Sequence, residues 1–166
     1  RNSVSAKKSL GGGCLLELSH ELDYANWIFG PLKKINGKLN NSCTLDIDTD
    51  VDDEVKIVAQ NKDDLTLKIN LDFYRNGKKR YCFVELINGF IKLDFLKNHI
   101  IYEKNNISKT INFNEENEEM YKVQMSHFIS CIEEDIQPYV TLDDGISTMK
   151  LINSVLSSNL NNIGKL

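Results

Sequence analysis

The hydrophobic period of this chain changes twice, and that change limits the fold more than any other feature. Over residues 14–29, Cys14, Leu15, Leu18, Leu22, Ala25 and Phe29 recur at the spacing of one helix face. Gly30-Pro31 stops the pattern, because proline lacks an amide donor and restricts the residue before it. The period then falls to two. Over residues 65–73, Leu67, Ile69, Leu71 and Phe73 alternate with Thr66, Lys68, Asn70 and Asp72, which predicts a strand with one apolar and one polar face. Residues 55–60, 80–86, 91–96, 99–103 and 109–113 extend the series to about six strands, with Asn88-Gly89 read as a tight hairpin turn that uses positive φ. Helical spacing then returns. Tyr121, Met125, Phe128, Ile129 and Ile132 mark one helix, which ends before Gln137-Pro138. Thr141-Leu142-Asp143-Asp144 reads as a capping box, and Leu142, Ile146, Met149, Ile152, Leu156 and Leu160 form the stripe of a last helix. Helix, sheet, then two helices implies an α+β fold: an open, mainly antiparallel sheet with helices packed on one side.

A length of 166 residues suits one domain with its own core, taken here as residues 1–166. The formal charge of −4 gives no reason to expect nucleic-acid binding, and Gly77-Lys78-Lys79-Arg80 reads as a solvated hairpin tip. The four cysteines, Cys14, Cys43, Cys82 and Cys131, are too far apart for a zinc knuckle or a C-x-x-C pair, which suggests a reduced, cytoplasmic protein. No apolar run has the length of a membrane span. Residue 1 is an arginine, and residues 1–9 carry no leader pattern, so the chain is expected to be a piece of a longer one. No metal is expected: Asp46-Ile47-Asp48-Thr49-Asp50-Val51-Asp52 mimics the start of a calcium loop but has Val51 where glycine is needed and Ile57 where a bidentate glutamate is needed. His99 and His127 have no partners at ligand spacing and are expected to be structural.

The chemistry concentrates near the start. Gly11-Gly12-Gly13 is neither a dinucleotide fingerprint nor a P-loop, since no G-x-G-x-x-G follows a strand and no Gly-Lys-Ser/Thr follows the glycines. Glycines here let the backbone turn sharply or approach another element. On the helix that follows, Glu17, His20, Glu21 and Tyr24 lie opposite the apolar stripe, with Asp23 and Trp27 beside His20. Residues three and four apart touch on a helix, so His20 is within reach of Glu17, Asp23, Tyr24 or Trp27. A carboxylate beside an imidazole fixes its tautomer, as a general acid/base requires. The same spacing also describes an ordinary charged surface helix, and the residues alone leave both readings open.

Gly11-Gly12-Gly13-Cys14-Leu15-Leu16-Glu17-Leu18-Ser19-His20-Glu21-Leu22-Asp23-Tyr24-Ala25-Asn26-Trp27-Ile28-Phe29-Gly30 resembles the segment that opens the second domain of the Gfo/Idh/MocA oxidoreductases. Asp52-Asp53, and Phe128 with Gln137-Pro138, Thr141 and Asp144, extend the resemblance along most of the chain. It implies a C-terminal α+β domain whose sheet forms homodimer or tetramer contacts. It also implies an N-terminal Rossmann domain, not contained in this chain, that binds NAD or NADP. The histidine of the matching helix, here His20, would be the catalytic acid/base toward a sugar, nucleotide-sugar or cyclitol hydroxyl. Glu17, Asp23 and Tyr24 would orient His20 or bind substrate. Many members place an aspartate four residues before the histidine; here Glu17 stands three before it. The chain itself is expected to hold no cofactor. A non-catalytic module that associates through its sheet is the other reading.

Overall fold

The computed structural model describes residues 3–113 and 117–163. In chain order the elements are two 3-10 turns (Val4–Ala6, Lys8–Leu10), helices α1 (Cys14–Glu17) and α2 (Ser19–Phe29), strands β1 (Lys33–Asn40), β2 (Glu54–Gln60), β3 (Thr66–Asp72), β4 (Tyr81–Leu86), β5 (Gly89–Asp94), β6 (His99–Lys104) and β7 (Ile107–Asn112), then helices α3 (Asn117–Glu133) and α4 (Leu142–Ile163). They fall into two compact units, Arg1–Arg75 with Val140–Leu166, and Asn76–Tyr139. The α+β, antiparallel reading holds. The described strands number seven, in two sheets of three and four.

In the first unit β1, β2 and β3 pair antiparallel in that order. Alternation decides which face is covered. The paired residues Val55 and Leu71, and Ala59 and Leu67, are buried, while Lys56, Asn70 and Lys68 face outward. Cys14 and Leu15 of α1, Leu22 of α2, and Leu151, Ile152 and Val155 of α4 close over the buried face as one core. The stripe foreseen for α4 holds at Ile152 and Leu156, which meet the core, and is corrected elsewhere. Leu151, Ile152 and Val155 are buried, but Leu142, Ile146 and Met149 are exposed, and the Leu160 side chain lies outside the described residues. Three polar bonds set the helix's rotation: Ser158 Oγ accepts Gly37 N–H at 2.8 Å, Asn159 Oδ1 accepts Leu39 N–H at 3.0 Å, and Thr148 Oγ1 donates to Asp23 Oδ1 at 2.6 Å. Asn159 and Ser158 thereby satisfy amides on the outer edge of β1 that no strand pairs. The capping box forms as read, with Thr141 Oγ1 and N both donating to Asp144 Oδ2 at 2.7 Å.

In the second unit β4 to β7 form an antiparallel meander. The Asn88-Gly89 turn is also corrected: Ile87 and Asn88 form the loop, and neither Asn88 nor Gly89 has positive φ. Gly89 is needed for cross-strand approach, since a Cβ there would collide with the Glu103 carbonyl oxygen. The positive-φ pair is Asn105-Asn106, at 52° and 64°, which turns β6 into β7 with the twist a two-residue hairpin requires. The α3 stripe of Tyr121, Met125, Phe128, Ile129 and Ile132 is exposed along its length rather than buried. His127 is a structural histidine as foreseen: its ring stacks on Tyr139, and Nε2 accepts the Tyr139 N–H at 3.1 Å.

Candidate functional site

The glycine run ends where the chain must turn into a helix beneath another loop. Gly13 has φ 129° and ψ 152°, outside the range of L residues, and a Cβ there would lie 2.5 Å from Asp52 Oδ1. The missing side chain admits Asp52 to the start of α1. Asp52 O accepts Cys14 N–H at 2.8 Å, and Asp52 Oδ2 accepts Leu15 N–H, also at 2.8 Å. Two of the orphan amides at the helix start are therefore satisfied by one residue thirty-seven positions away. The neighbouring Asp53, fully buried, accepts Ser42 N–H at 2.8 Å and the Ser42 hydroxyl. Asp48 Oδ2 accepts Lys8 N–H at 3.3 Å. These aspartates of the acidic run thus fasten backbone amides. Cys14, buried beneath this cap, has its thiol pushed far above the usual range by burial and by the Asp52 carboxylate.

The single helix foreseen over residues 14–29 is broken. Leu18 adopts φ −99° and ψ 23°, ending α1 and preceding α2. Glu17 and His20 consequently belong to different helices, and the three-residue stacking expected of them is lost. At its far end α2 is closed by Asn61, whose Nδ2 donates to Phe29 O at 2.8 Å while its Oδ1 accepts the amides of Asp63 and Leu65. Asn26 Oδ1 accepts Leu32 N–H at 3.1 Å and secures the turn out of the helix.

Between these two fastenings sits His20, in the first turn of α2, with its side chain 53% exposed. Its Nε2 lies 3.1 Å from Glu21 Oε1, and the Glu21 side chain is only 12% exposed. Glu17 is exposed on α1 and makes no ion pair with His20 among the described residues. Asp23 is directed to α4, where Thr148 is buried and donates to it. Tyr24 is half-buried one turn beyond His20, and Trp27, next along the same face, is 83% exposed. The structure therefore brings His20 together with Glu21, and not with Glu17 or Asp23. Sequence reasoning missed the Leu18 break, for which no proline or glycine gives a signal, and the Glu21 contact, which helix spacing disfavours. The Asp52 cap had a signal in Gly13, but only the fold joins the two.

A family model described as the GFO/IDH/MocA C-terminal domain matches residues 1–88. This chain belongs to that family. No curated protein matches the sequence. Among solved structures the chain is similar to levoglucosan dehydrogenase in complex with NADH and levoglucosan: 15% identity, TM-score 0.83, over 96% of this chain and 52% of that one. It is similar to an NAD-binding oxidoreductase from Klebsiella pneumoniae, at 14% identity and TM-score 0.82, over 96% of this chain and 52% of that one. A third is UDP-N-acetylglucosamine 3-dehydrogenase GnnA from Acidithiobacillus ferrooxidans, at 11% identity and TM-score 0.72, over 84% of this chain and 44% of that one. At these identities the likeness shows the shared fold, and the chain spans about half the length of the solved proteins it matches.

The solved levoglucosan dehydrogenase carries NADH, and the glycine run, already read as neither a dinucleotide fingerprint nor a P-loop, can be set against the task of holding a cofactor's phosphates. The residues do not fit that task. The Leu15 amide is already taken by the Asp52 carboxylate, which has the same sign of charge as a phosphate and stands against Gly13. No reaction step runs through a cofactor held by this run.

Proposed function

We propose that this chain is the substrate-side, C-terminal domain of an NAD(P)-dependent oxidoreductase that acts on a hydroxyl of a sugar, nucleotide sugar or cyclitol, with His20 as its acid/base. The observation that carries the reading is the placement of an exposed imidazole 3.1 Å from a carboxylate, on a helix whose far end is held by Asn61 and which follows directly on α1, held by Asp52. Family membership and the dehydrogenases that share the fold support it. An N-terminal dinucleotide-binding domain in the intact parent would hold the cofactor, which would supply the hydride acceptor. What this chain contributes is the proton transfer and part of the sugar site, with Tyr24 and Trp27 on the His20 face. Glu17 and Asp23 flank that face, and Asp23 acts by holding α2 to α4 through Thr148. The parent works in the cytoplasm, a placement supported by the absence of disulfides among the four cysteines.

The proposal includes self-association through the second unit. Cys82, Leu93, Ile100 and Ile111 form one apolar row across β4 to β7, and Ile111 is 45% exposed. An assay of the intact parent with NAD⁺ or NADP⁺ against a panel of sugars and nucleotide sugars tests the enzymatic reading. Cofactor reduction with at least one hydroxyl substrate is expected. No reduction with any of them, together with an upstream sequence lacking G-x-G-x-x-G, contradicts it.

A further inference from the structure

We propose that Asn76 is a site of spontaneous covalent modification, at which the chain converts its own asparagine to aspartate and isoaspartate. The sequence holds three Asn-Gly pairs, Asn36-Gly37, Asn76-Gly77 and Asn88-Gly89. Glycine after asparagine carries no side chain to shield its amide nitrogen, so each pair has the local chemistry for attack on the asparagine side chain. Attack also requires that amide to be free of a fixed hydrogen bond, and the backbone to rotate until the nitrogen reaches the side-chain carbon. The fold opposes this at two of the pairs and permits it at the third.

Gly37 lies within β1, where its N–H donates to Ser158 Oγ at 2.8 Å and Asn36 is held in register with Val58 of β2. A Cβ at Gly37 would strike Val155 of α4, so the strand has no room to rotate there. Gly89 begins β5, paired with Leu86 of β4 and Lys104 of β6, and its backbone lies close against Glu103. Asn88 O also accepts Asn105 N–H at 3.0 Å. Asn76-Gly77 differs on each count. Both residues are exposed in the connection between β3 and β4, and a Cβ at Gly77 would meet nothing within 4 Å. Among the described residues neither has a hydrogen-bond partner. The fastening of this connection stops one residue short, at Arg75, whose N and Nε donate to Asp72 at 3.1 and 3.0 Å. Lys78 and Lys79 follow, both exposed, and their positive charge favours the anionic amide nitrogen that attacks.

The Gly77 amide gives its proton to solvent, and its nitrogen bonds to Asn76 Cγ. The Cγ–Nδ2 bond breaks, the departing nitrogen takes a proton from water and leaves as ammonia, and a succinimide ring remains. Water then opens the ring at either carbonyl. One opening gives aspartate; the other gives isoaspartate, with the main chain running through the former side chain. Nothing is oxidised or reduced. Either product takes the formal charge from −4 to −5, at the point in the sequence where the second compact unit begins.

Warm incubation of the folded chain in mildly alkaline buffer, followed by chymotryptic peptide mapping, tests this directly. The peptide Arg75–Tyr81 is expected to gain the mass of an amide-to-acid exchange and to split into aspartyl and isoaspartyl forms. The peptides that carry Asn36 and Asn88 are expected to stay unchanged over the same period. Unfolding in urea should bring all three pairs to similar rates, since only the fold separates them. Asn76→Gln should abolish the acidic charge variant of the folded chain, because the longer side chain disfavours ring closure. Modification that begins at Asn36 or Asn88 in the folded chain, or that proceeds equally at all three, overturns the proposal. So does a folded chain unmodified at Asn76 under conditions in which the unfolded chain reacts there.

Discussion

Asp52 holds the segment that carries His20, and it does so with a buried carboxylate that reaches a helix start through the gap left by Gly13. Replacing Asp52 with alanine strips α1 of this cap and leaves the Leu15 amide buried without an acceptor. The expected cost is about 1–3 kcal/mol, read from urea unfolding. A loss below about 0.5 kcal/mol would show that the cap contributes nothing. Cys14 and Cys43 offer a second check at the same scale. Cys14 is buried and its thiol is held protonated by burial and by Asp52, whereas Cys43 is exposed. Mass spectrometry after brief alkylation of the folded chain should find Cys43 modified and Cys14 protected until denaturant is added. Equal labelling of the two would mean that α1 does not seal the core.

At the scale of elements, Glu54 ties the first sheet together at one end. Its carboxylate receives Lys56 Nζ at 2.8 Å, Asn40 Nδ2 of β1 at 2.8 Å and the Tyr74 hydroxyl beyond β3 at 2.9 Å. These three donors, Lys56 foremost, hold its pKa down to about 2 from an ordinary 4.5. A carboxylate whose folded pKa is depressed stabilises the fold above its unfolded pKa, and that stability is lost as pH falls through the folded value. Stability should therefore decline between about pH 4.5 and about pH 2, and Glu54→Gln should lower stability at neutral pH while flattening that decline. An unchanged acid limb in the variant would exclude Glu54 as its source. The elements differ in how far sequence revealed them. The strict alternation over residues 65–73 and the Thr141/Asp144 box were legible, because period and cap chemistry are local. The rotation of α4 was not, since Ser158, Asn159 and Thr148 find their partners in β1 and α2 more than a hundred residues earlier. The break at Leu18 was hidden too: every residue from Cys14 to Leu22 tolerates a helix, so nothing in the sequence marks where it divides.

For the whole molecule, the candidate site was legible as a segment and illegible as a geometry. The stretch from Gly11 to Gly30 pointed to the family and to His20, while the choice of Glu21 over Glu17 required the fold. The apolar row Cys82–Leu93–Ile100–Ile111 supports association of two or more copies. Sedimentation should show an oligomer, and Ile111→Lys should shift it toward monomer, since the substitution sets a charge on an apolar face at a position already 45% exposed. A wild-type chain that sediments as a monomer at every concentration would contradict that part of the account. The central claim is that His20 moves the proton, and its most direct test is the turnover of the intact parent with and without the imidazole. With His20→Ala, kcat should fall by about 10²–10⁴, the range of a general acid–base group, while the melting temperature stays near that of the wild type. A variant that keeps kcat within about tenfold of the wild type would contradict the account.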